Sequence, residues 1–176
     1  MEQRLMELIV SRNELIYVLN ALQAKHIVGV ELDEFNLPTE DFALLLRGAE
    51  RNLVARSLLS IDPTNKTRLL DPVLIGMVGA LAFRDLAFIL VRGVRGKGQQ
   101  LFIFNWYQNA IVEHTLPNEG THRLALVETE SDLFTRLEQL IPLESVITTN
   151  RTRYKIPHKD FENTYQEIKN HNIGVL

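Results

Sequence analysis

The sequence predicts an α+β fold, with an antiparallel sheet of about four or more strands over residues 85–128 and flanking helices. Two observations support this prediction. Apolar residues recur with the helical period of 3.6 in most segments before Asp85, and the period changes to 2 after it. Short turns then separate the apolar segments, which favours an antiparallel meander. With 176 residues, 45% of them hydrophobic, we expect one domain over residues 1–176.

The composition excludes several classes of function. The net charge is -3 and the pI is near 6.0, whereas a general nucleic-acid binder needs a positive surface to neutralise phosphates. The chain has no cysteine, which rules out disulfides, thiol catalysis and cysteine-ligated metal. The most apolar stretch, 73–91, is interrupted by glycine and charged residues, and no long apolar run follows Met1. We therefore expect no membrane span and no signal peptide, and we predict a soluble, cytoplasmic protein.

The N-terminal segment predicts a strand followed by a helix. Leu5–Val10 is short and apolar, and Ser11 with Glu14 forms a capping box that opens a helix over residues 12–23. Residues 27–35 alternate between apolar and polar side chains, which fits either a half-buried strand or an extended loop. The sequence leaves open whether the N-terminal segment packs on the sheet of its own chain or of a second copy.

Residues 39–70 predict two helices followed by a two-stranded ribbon, which is a winged-helix-like arrangement. Thr39 is expected to cap the first helix, and Gly48 to break or bend it before the second begins. The strands of the ribbon, Leu59–Ile61 and Thr67–Leu70, flank a turn made of turn-forming residues.

This unit supports an alternative function, a winged-helix DNA-binding transcriptional regulator. In such a fold the second helix enters the major groove and the turn of the ribbon is the wing. The residues that would contact phosphate are Arg47, Arg51, Arg56, Lys66 and Arg68. Glu50 and Asp62 lie on the same expected surface and would repel phosphate, so a packing module with a solvated face is favoured.

The following helix has the clearest start signal. Asp71 is suited to accept hydrogen bonds from free backbone N–H groups, and Pro72 stands where a missing N–H has no consequence. Leu74, Met77, Val78 and Leu81 are predicted to face the core. Gly76 and Gly79 weaken the helix, which predicts close packing against another element.

The predicted sheet begins after Asp85. Leu86–Val91 is apolar on both faces, as a central strand would be. A glycine-rich connection over residues 92–98 leads to a strand at Gln100–Trp106, and further strands follow at Ala110–Thr115 and Thr121–Glu128.

C-terminal helices are predicted over residues 131–171. Ser131 is expected to cap a helix that ends at Leu140, before Pro142. A last helix is predicted over residues 157–169.

The connection over residues 92–98 is the first candidate for binding a partner protein. It carries Arg92, Arg95 and Lys97 among three glycines. A phosphate-binding loop precedes a helix whose N-terminus completes the anion site, but here a strand follows. A flexible basic hairpin tip is therefore the favoured interpretation.

Aromatic residues form the second candidate. Alternation along the strand places Phe102, Phe104 and Trp106 on one face of the sheet. Packing under a helix is the simplest interpretation, and a face left open would bind a helix or a second copy of the chain.

No catalytic or metal-binding motif is visible, so we expect no enzymatic activity, no cofactor and no metal site. None of the five histidines forms a spaced pair with a carboxylate on a helix, and no serine lies in a Gly-x-Ser-x-Gly elbow. His114 and His122 are expected on adjacent strands, and a chance cross-strand pair is the favoured interpretation.

Residues 37–127 resemble the EspG family, the cytosolic chaperones of type VII (ESX) secretion systems. Three segments carry the resemblance: Ala49–Leu59, Arg68–Leu74 and Leu81–Phe88. In that family a helix leads to a short ribbon, a Leu-x-Pro-x-Leu helix start and antiparallel strands. This sequence departs from the pattern at Ser57, where the family usually has glycine, and its length accommodates only one of the family's two related halves.

The resemblance implies a non-enzymatic protein-binding module, an EspG-like cytosolic chaperone or adaptor for a type VII secretion substrate. Such chaperones hold the exposed apolar tip of a helical secreted protein. No individual contact residue carries over, because no position-specific motif aligns. A homodimer that rebuilds the two-half architecture is a further expectation.

Overall fold

The computed structural model describes residues 6–94 and 98–141, which belong to one compact unit. Its centre is a five-stranded sheet in the order β1-β7-β6-β5-β4, in which all neighbouring strands are antiparallel. The strands are β1 Glu7–Ser11, β4 Leu86–Val94, β5 Gly98–Tyr107, β6 Ala110–Asn118 and β7 Thr121–Val127. The predicted α+β class and the antiparallel meander are confirmed.

Helices cover both faces of the sheet. They are α1 Arg12–Ala21, α2 Thr39–Ala55, α3 Pro72–Phe83 and α4 Glu130–Leu140, and a separate ribbon pairs β2 Leu59–Ile61 with β3 Arg68–Leu70. Helices α1 and α3 pack on one face, which we call the α1/α3 face, with α2 packed on α1. Helix α4 packs on the opposite face, the α4 face.

Two predicted helix starts are confirmed by their hydrogen bonds. The Ser11 hydroxyl accepts a hydrogen bond from the Glu14 backbone N–H, and the Glu14 carboxylate accepts one from the Ser11 N–H at 2.7 Å. The Asp71 carboxylate accepts the N–H groups of the second and third residues of α3. The four residues of α3 predicted to face the core are all buried.

Two other predicted caps are wrong. Thr39 is already the first residue of α2, which has no side-chain cap. Thr129, not Ser131, caps α4, and its hydroxyl accepts the Asp132 N–H at 3.1 Å. Three of the four residues from Thr129 to Asp132 are capping types, so the sequence alone does not choose among them.

The predicted break at Gly48 is also wrong, since α2 continues through it to Ala55. A glycine inside a helix costs only about 1 kcal/mol relative to alanine, and burial of Ala49 and Leu53 on the same helix outweighs that cost. Residues 39–70 therefore contain one long helix followed by the ribbon.

The two edge strands of the sheet are one whose pairing the sequence left open, β1, and one whose position it predicted incorrectly, β4. β1 pairs with β7 of the same chain, from Glu7 opposite Ala125 to Ser11 opposite Thr121. β4, predicted to be central, is an edge strand. None of Leu86–Val91 is fully buried, and 51% of Val91 is exposed, so a continuous apolar stretch does not by itself identify a central strand.

The close packing against another element predicted at Gly76 and Gly79 is wrong, because a Cβ at either position would meet nothing within 4 Å. The close approach occurs instead at Gly29, where a Cβ would lie 2.6 Å from Ile103 Cδ1 and φ is +72°. Gly29 belongs to a loop that contains one isolated bridge, Ile27 to Val30, and a short 3-10 helix, Asp33–Asn36. The loop interpretation of this segment is therefore correct.

Candidate functional site: the aromatic patch on strands β4 and β5

The register of β4 and β5 brings six large apolar side chains together on the α4 face. Leu86 lies opposite Trp106, Phe88 opposite Phe104, and Leu90 opposite Phe102. We call these six residues the aromatic patch. The prediction that the three aromatic residues of β5 share one face is confirmed, and β4 adds three residues that the predicted site did not include.

The aromatic patch changes from buried to exposed towards the edge of the sheet. Phe104 is fully buried, and its ring stacks on Phe88 with centroids 4.7 Å apart and planes 13° from parallel. Phe102 and Trp106 are half-buried, and 59% of Leu86 is exposed. Helix α4 therefore covers the middle of the sheet and leaves the outer part of the patch accessible.

An ion cluster anchors α4 on the sheet beside the aromatic patch. Glu113 of β6 is fully buried and accepts hydrogen bonds from Arg136 of α4 at 2.7 and 2.9 Å and from Arg123 of β7 at 3.1 Å. Arg123 also pairs with Glu7 of β1, and this hydrogen bond lowers the pKa of the Glu7 carboxyl below its usual range. The two guanidinium groups compensate the buried Glu113 charge.

Trp106 is held in position by the turn between β5 and β6. Its Nε1–H donates to the carbonyl oxygen of Gln108 at 3.1 Å. The Gln108 N–H in turn donates to the Asp85 carboxylate at 2.9 Å. Since Trp106 is the single tryptophan of the chain, its fluorescence reports on the outer part of the aromatic patch.

Of the predicted basic hairpin tip, the structure places only Arg92. It lies on β4 opposite Gln100 and is half-buried, on the same face as the aromatic patch. Arg95 and Lys97 lie outside the described residues. The predicted C-terminal helix over residues 157–169 and the extended segment before it also lie outside them.

The cations of the DNA-binding alternative are partly engaged with carboxylates. Arg56 donates to Glu14 at 2.7 Å, and Arg68 donates to Glu50 at 2.8 Å. Arg47 donates to a backbone carbonyl of its own helix, whereas Arg51 and Lys66 are exposed. DNA binding stays a prediction, but pairing neutralises two of the five charges it would use.

On the α1/α3 face of the sheet, the two histidines of the predicted pair are in contact. His114 Nε2 lies 2.8 Å from His122 Nδ1, and both rings are buried. Burial lowers the pKa of His114 to about 3 and that of His122 to about 4, because charging either ring in an apolar environment is unfavourable. Both rings are therefore neutral near pH 7.

The described part of the chain shows neither a metal cluster nor a membrane helix. No group of three or more histidine, aspartate or glutamate side chains there is placed to hold a metal ion. None of the described helices combines the length and apolar composition needed to cross a membrane. A pocket of about 480 Å³ lies between α3 and the turn after β5, and no charged side chain lines it.

Comparisons with known proteins place the chain in no family. No protein-family model matches it, and no curated protein has a matching sequence. The resemblance to the EspG family therefore stays a prediction.

Proposed function

We propose that the protein is a non-enzymatic protein-binding module, an EspG-like chaperone or adaptor that binds a helical type VII secretion substrate in the cytoplasm. The observation that carries the proposal is the aromatic patch, which is buried at Phe104 and accessible at Leu86. Large rigid aromatic side chains beside exposed aliphatic ones are typical of surfaces that bind an apolar helix face.

The shape of the α4 face supports a helical partner. Helix α4 packs over β6 and β7, and the half of the sheet formed by β4 and β5 is less covered. Phe134 on α4 is a further exposed aromatic side chain. A second helix laid over β4 and β5 would bury Leu86 and Trp106 together.

The hydrogen bonds beside the aromatic patch support a recognition role. Arg136 fixes α4 through the buried Glu113, and the Gln108 turn fixes Trp106. A preformed surface loses little conformational entropy on binding, which favours affinity. The patch itself has no acid, base or nucleophile, so the proposal assigns binding and no reaction.

The proposal is tested by co-expressing the protein with each helical-hairpin protein encoded beside its gene. We expect one of them to co-purify, to shift the Trp106 emission, and to be lost in Leu86→Glu. Leu44→Glu is the matched control, because Leu44 is also exposed but lies on α2, away from the patch. Retention of no helical protein, or equal retention by Leu86→Glu, would contradict the proposal.

A further inference from the structure

The two edge strands of the sheet differ in how well they are protected. β1 has five residues, includes Glu7, and its Ile9 carbonyl oxygen accepts a hydrogen bond from the Arg56 guanidinium. β4 has nine residues, and within residues 6–94 and 98–141 no strand pairs with its outer edge. Every second residue of β4 therefore directs its N–H and C=O groups outward, as a template for a further strand.

β4 also lacks the features with which edge strands usually prevent pairing. It contains no proline and a single charged residue, Arg92. Its register with β5 is continuous from Leu86 opposite Trp106 to Val94 opposite Gly98, without a bulge. At Val91 51% of the residue is exposed, so an apolar side chain stands open beside this edge, with which no described strand pairs.

We propose that a second copy of this chain pairs with β4, antiparallel and about a two-fold axis, so that two five-stranded sheets become one sheet of ten. The strand is complementary to itself. Two registers near the middle of β4 place Ile89 or Leu90 opposite the same residue of the other copy. In the first register Arg92 lies opposite Leu86 of the other copy, and in the second it lies opposite Phe88. In neither register does Arg92 meet its own copy, and the Phe88 register offers a cation–π contact.

The symmetry explains why pairing stops at two copies. A two-fold axis perpendicular to the sheet uses the same edge of both chains, so the interface is closed and leaves no β4 edge free. The same axis keeps the α4 faces of both copies on one side, which joins their two aromatic patches. The inference rests on the strand edge and does not depend on the proposed helical partner.

The absence of cysteine allows a direct test by cross-linking. Opposite residues of antiparallel strands have Cα atoms about 4.5–5.5 Å apart, within the range that a disulfide spans. In single-cysteine variants we expect Ile89→Cys or Leu90→Cys, whichever lies on the axis, to form an oxidised dimer faster than Ala87→Cys. Leu44→Cys on α2 serves as the unpaired control and should not cross-link beyond random collision.

Sedimentation gives the second readout. We expect the wild-type protein to be a dimer at micromolar concentration, and Val91→Lys to raise the dissociation constant at least about tenfold, because a lysine on the edge opposes strand pairing. Leu44→Lys should remain dimeric. Val91 points to the α1/α3 face, so loss of the dimer and loss of helical-partner binding are separable. A wild-type monomer, or a dimer with no β4 cross-link, would overturn the proposal.

Discussion

His114 and His122 share one hydrogen bond, with Nε2 of the first 2.8 Å from Nδ1 of the second, in the buried layer between the sheet and the α1/α3 helices. The other nitrogens, His114 Nδ1 and His122 Nε2, have no hydrogen-bond partner among the described residues. Whichever ring donates the shared proton, one N–H donor and one lone pair stay unsatisfied. Each unsatisfied group costs about 1–3 kcal/mol of folding free energy.

The histidine pair should make stability depend on pH. In the folded state the pKa of His114 is lowered to about 3 and that of His122 to about 4, from an ordinary value of 6.5. The unfolded chain therefore binds more protons below pH 6.5, so the stability present above that pH is lost as pH falls towards 4. We expect the free energy of unfolding to fall by up to about 1.4 kcal/mol per pH unit for each ring, measured by urea unfolding.

A double variant isolates this contribution. His114→Leu with His122→Leu removes both unsatisfied groups, so we expect equal or greater stability at pH 7.5 and a flat profile between pH 6.5 and 5. His26→Gln, at an exposed histidine, should keep the wild-type slope. A double variant with the wild-type slope would show that other groups set the pH dependence.

The end of α2 offers a stabilising substitution. Ser57 has φ +58°, and the chain there forms a Schellman motif, with the Ser57 N–H donating to Val54 O and the Leu58 N–H to Leu53 O. Glycine adopts this conformation without the steric cost of a Cβ. We expect Ser57→Gly to raise the free energy of unfolding by about 0.5–1 kcal/mol and Ser57→Ala to give no gain. Equal effects of the two variants in urea unfolding would contradict this explanation.

Any side chain added at Gly29 should destabilise the protein. Its φ of +72° disfavours other residues, and a Cβ would lie 2.6 Å from Cδ1 of the fully buried Ile103. We expect Gly29→Ala to destabilise the protein by about 1–3 kcal/mol in thermal or urea unfolding. Adding Ile103→Val removes the clashing atom, so it should cost less in the Gly29→Ala background than in the wild type. Gly93→Ala is the control, because nothing lies within 4 Å of its Cβ position.

We expect the ion cluster under α4 to contribute to the stability of the fold, although most ion pairs contribute little. Arg136→Ala leaves the buried Glu113 carboxylate with Arg123 as its remaining cation. We expect this substitution to lower the free energy of unfolding by about 1–3 kcal/mol. The effect should change little with salt concentration, because Glu113 is shielded from solvent ions. Glu138→Ala, at an exposed position of the same helix, should change stability by less than about 0.5 kcal/mol. A loss that disappears at high salt would indicate a surface interaction instead.

Local chemistry was sufficient to predict several elements. The capping box at Ser11 and the Asp71 cap each satisfy backbone groups within a few residues, so their sequence signals do not depend on the rest of the fold. The same is true of the ribbon after Leu59, whose turn is closed by the Asp62 carboxylate accepting the Thr64 and Asn65 N–H groups. Alternation along β5 likewise predicted the shared face of Phe102, Phe104 and Trp106.

Other features depend on partners that are distant in the sequence. The continuity of α2 through Gly48 and the edge position of β4 follow from packing and strand order, which no local pattern records. The same holds for the Glu113–Arg136 pair, which joins residues 23 positions apart. Hydrogen bonds between near neighbours are encoded within one turn of chain, so the sequence by itself determined the Ser11 and Asp71 caps, the turn of the ribbon and the shared face of the β5 aromatics. Burial is a property of the whole packed molecule, so only the tertiary structure decided which apolar face stays open.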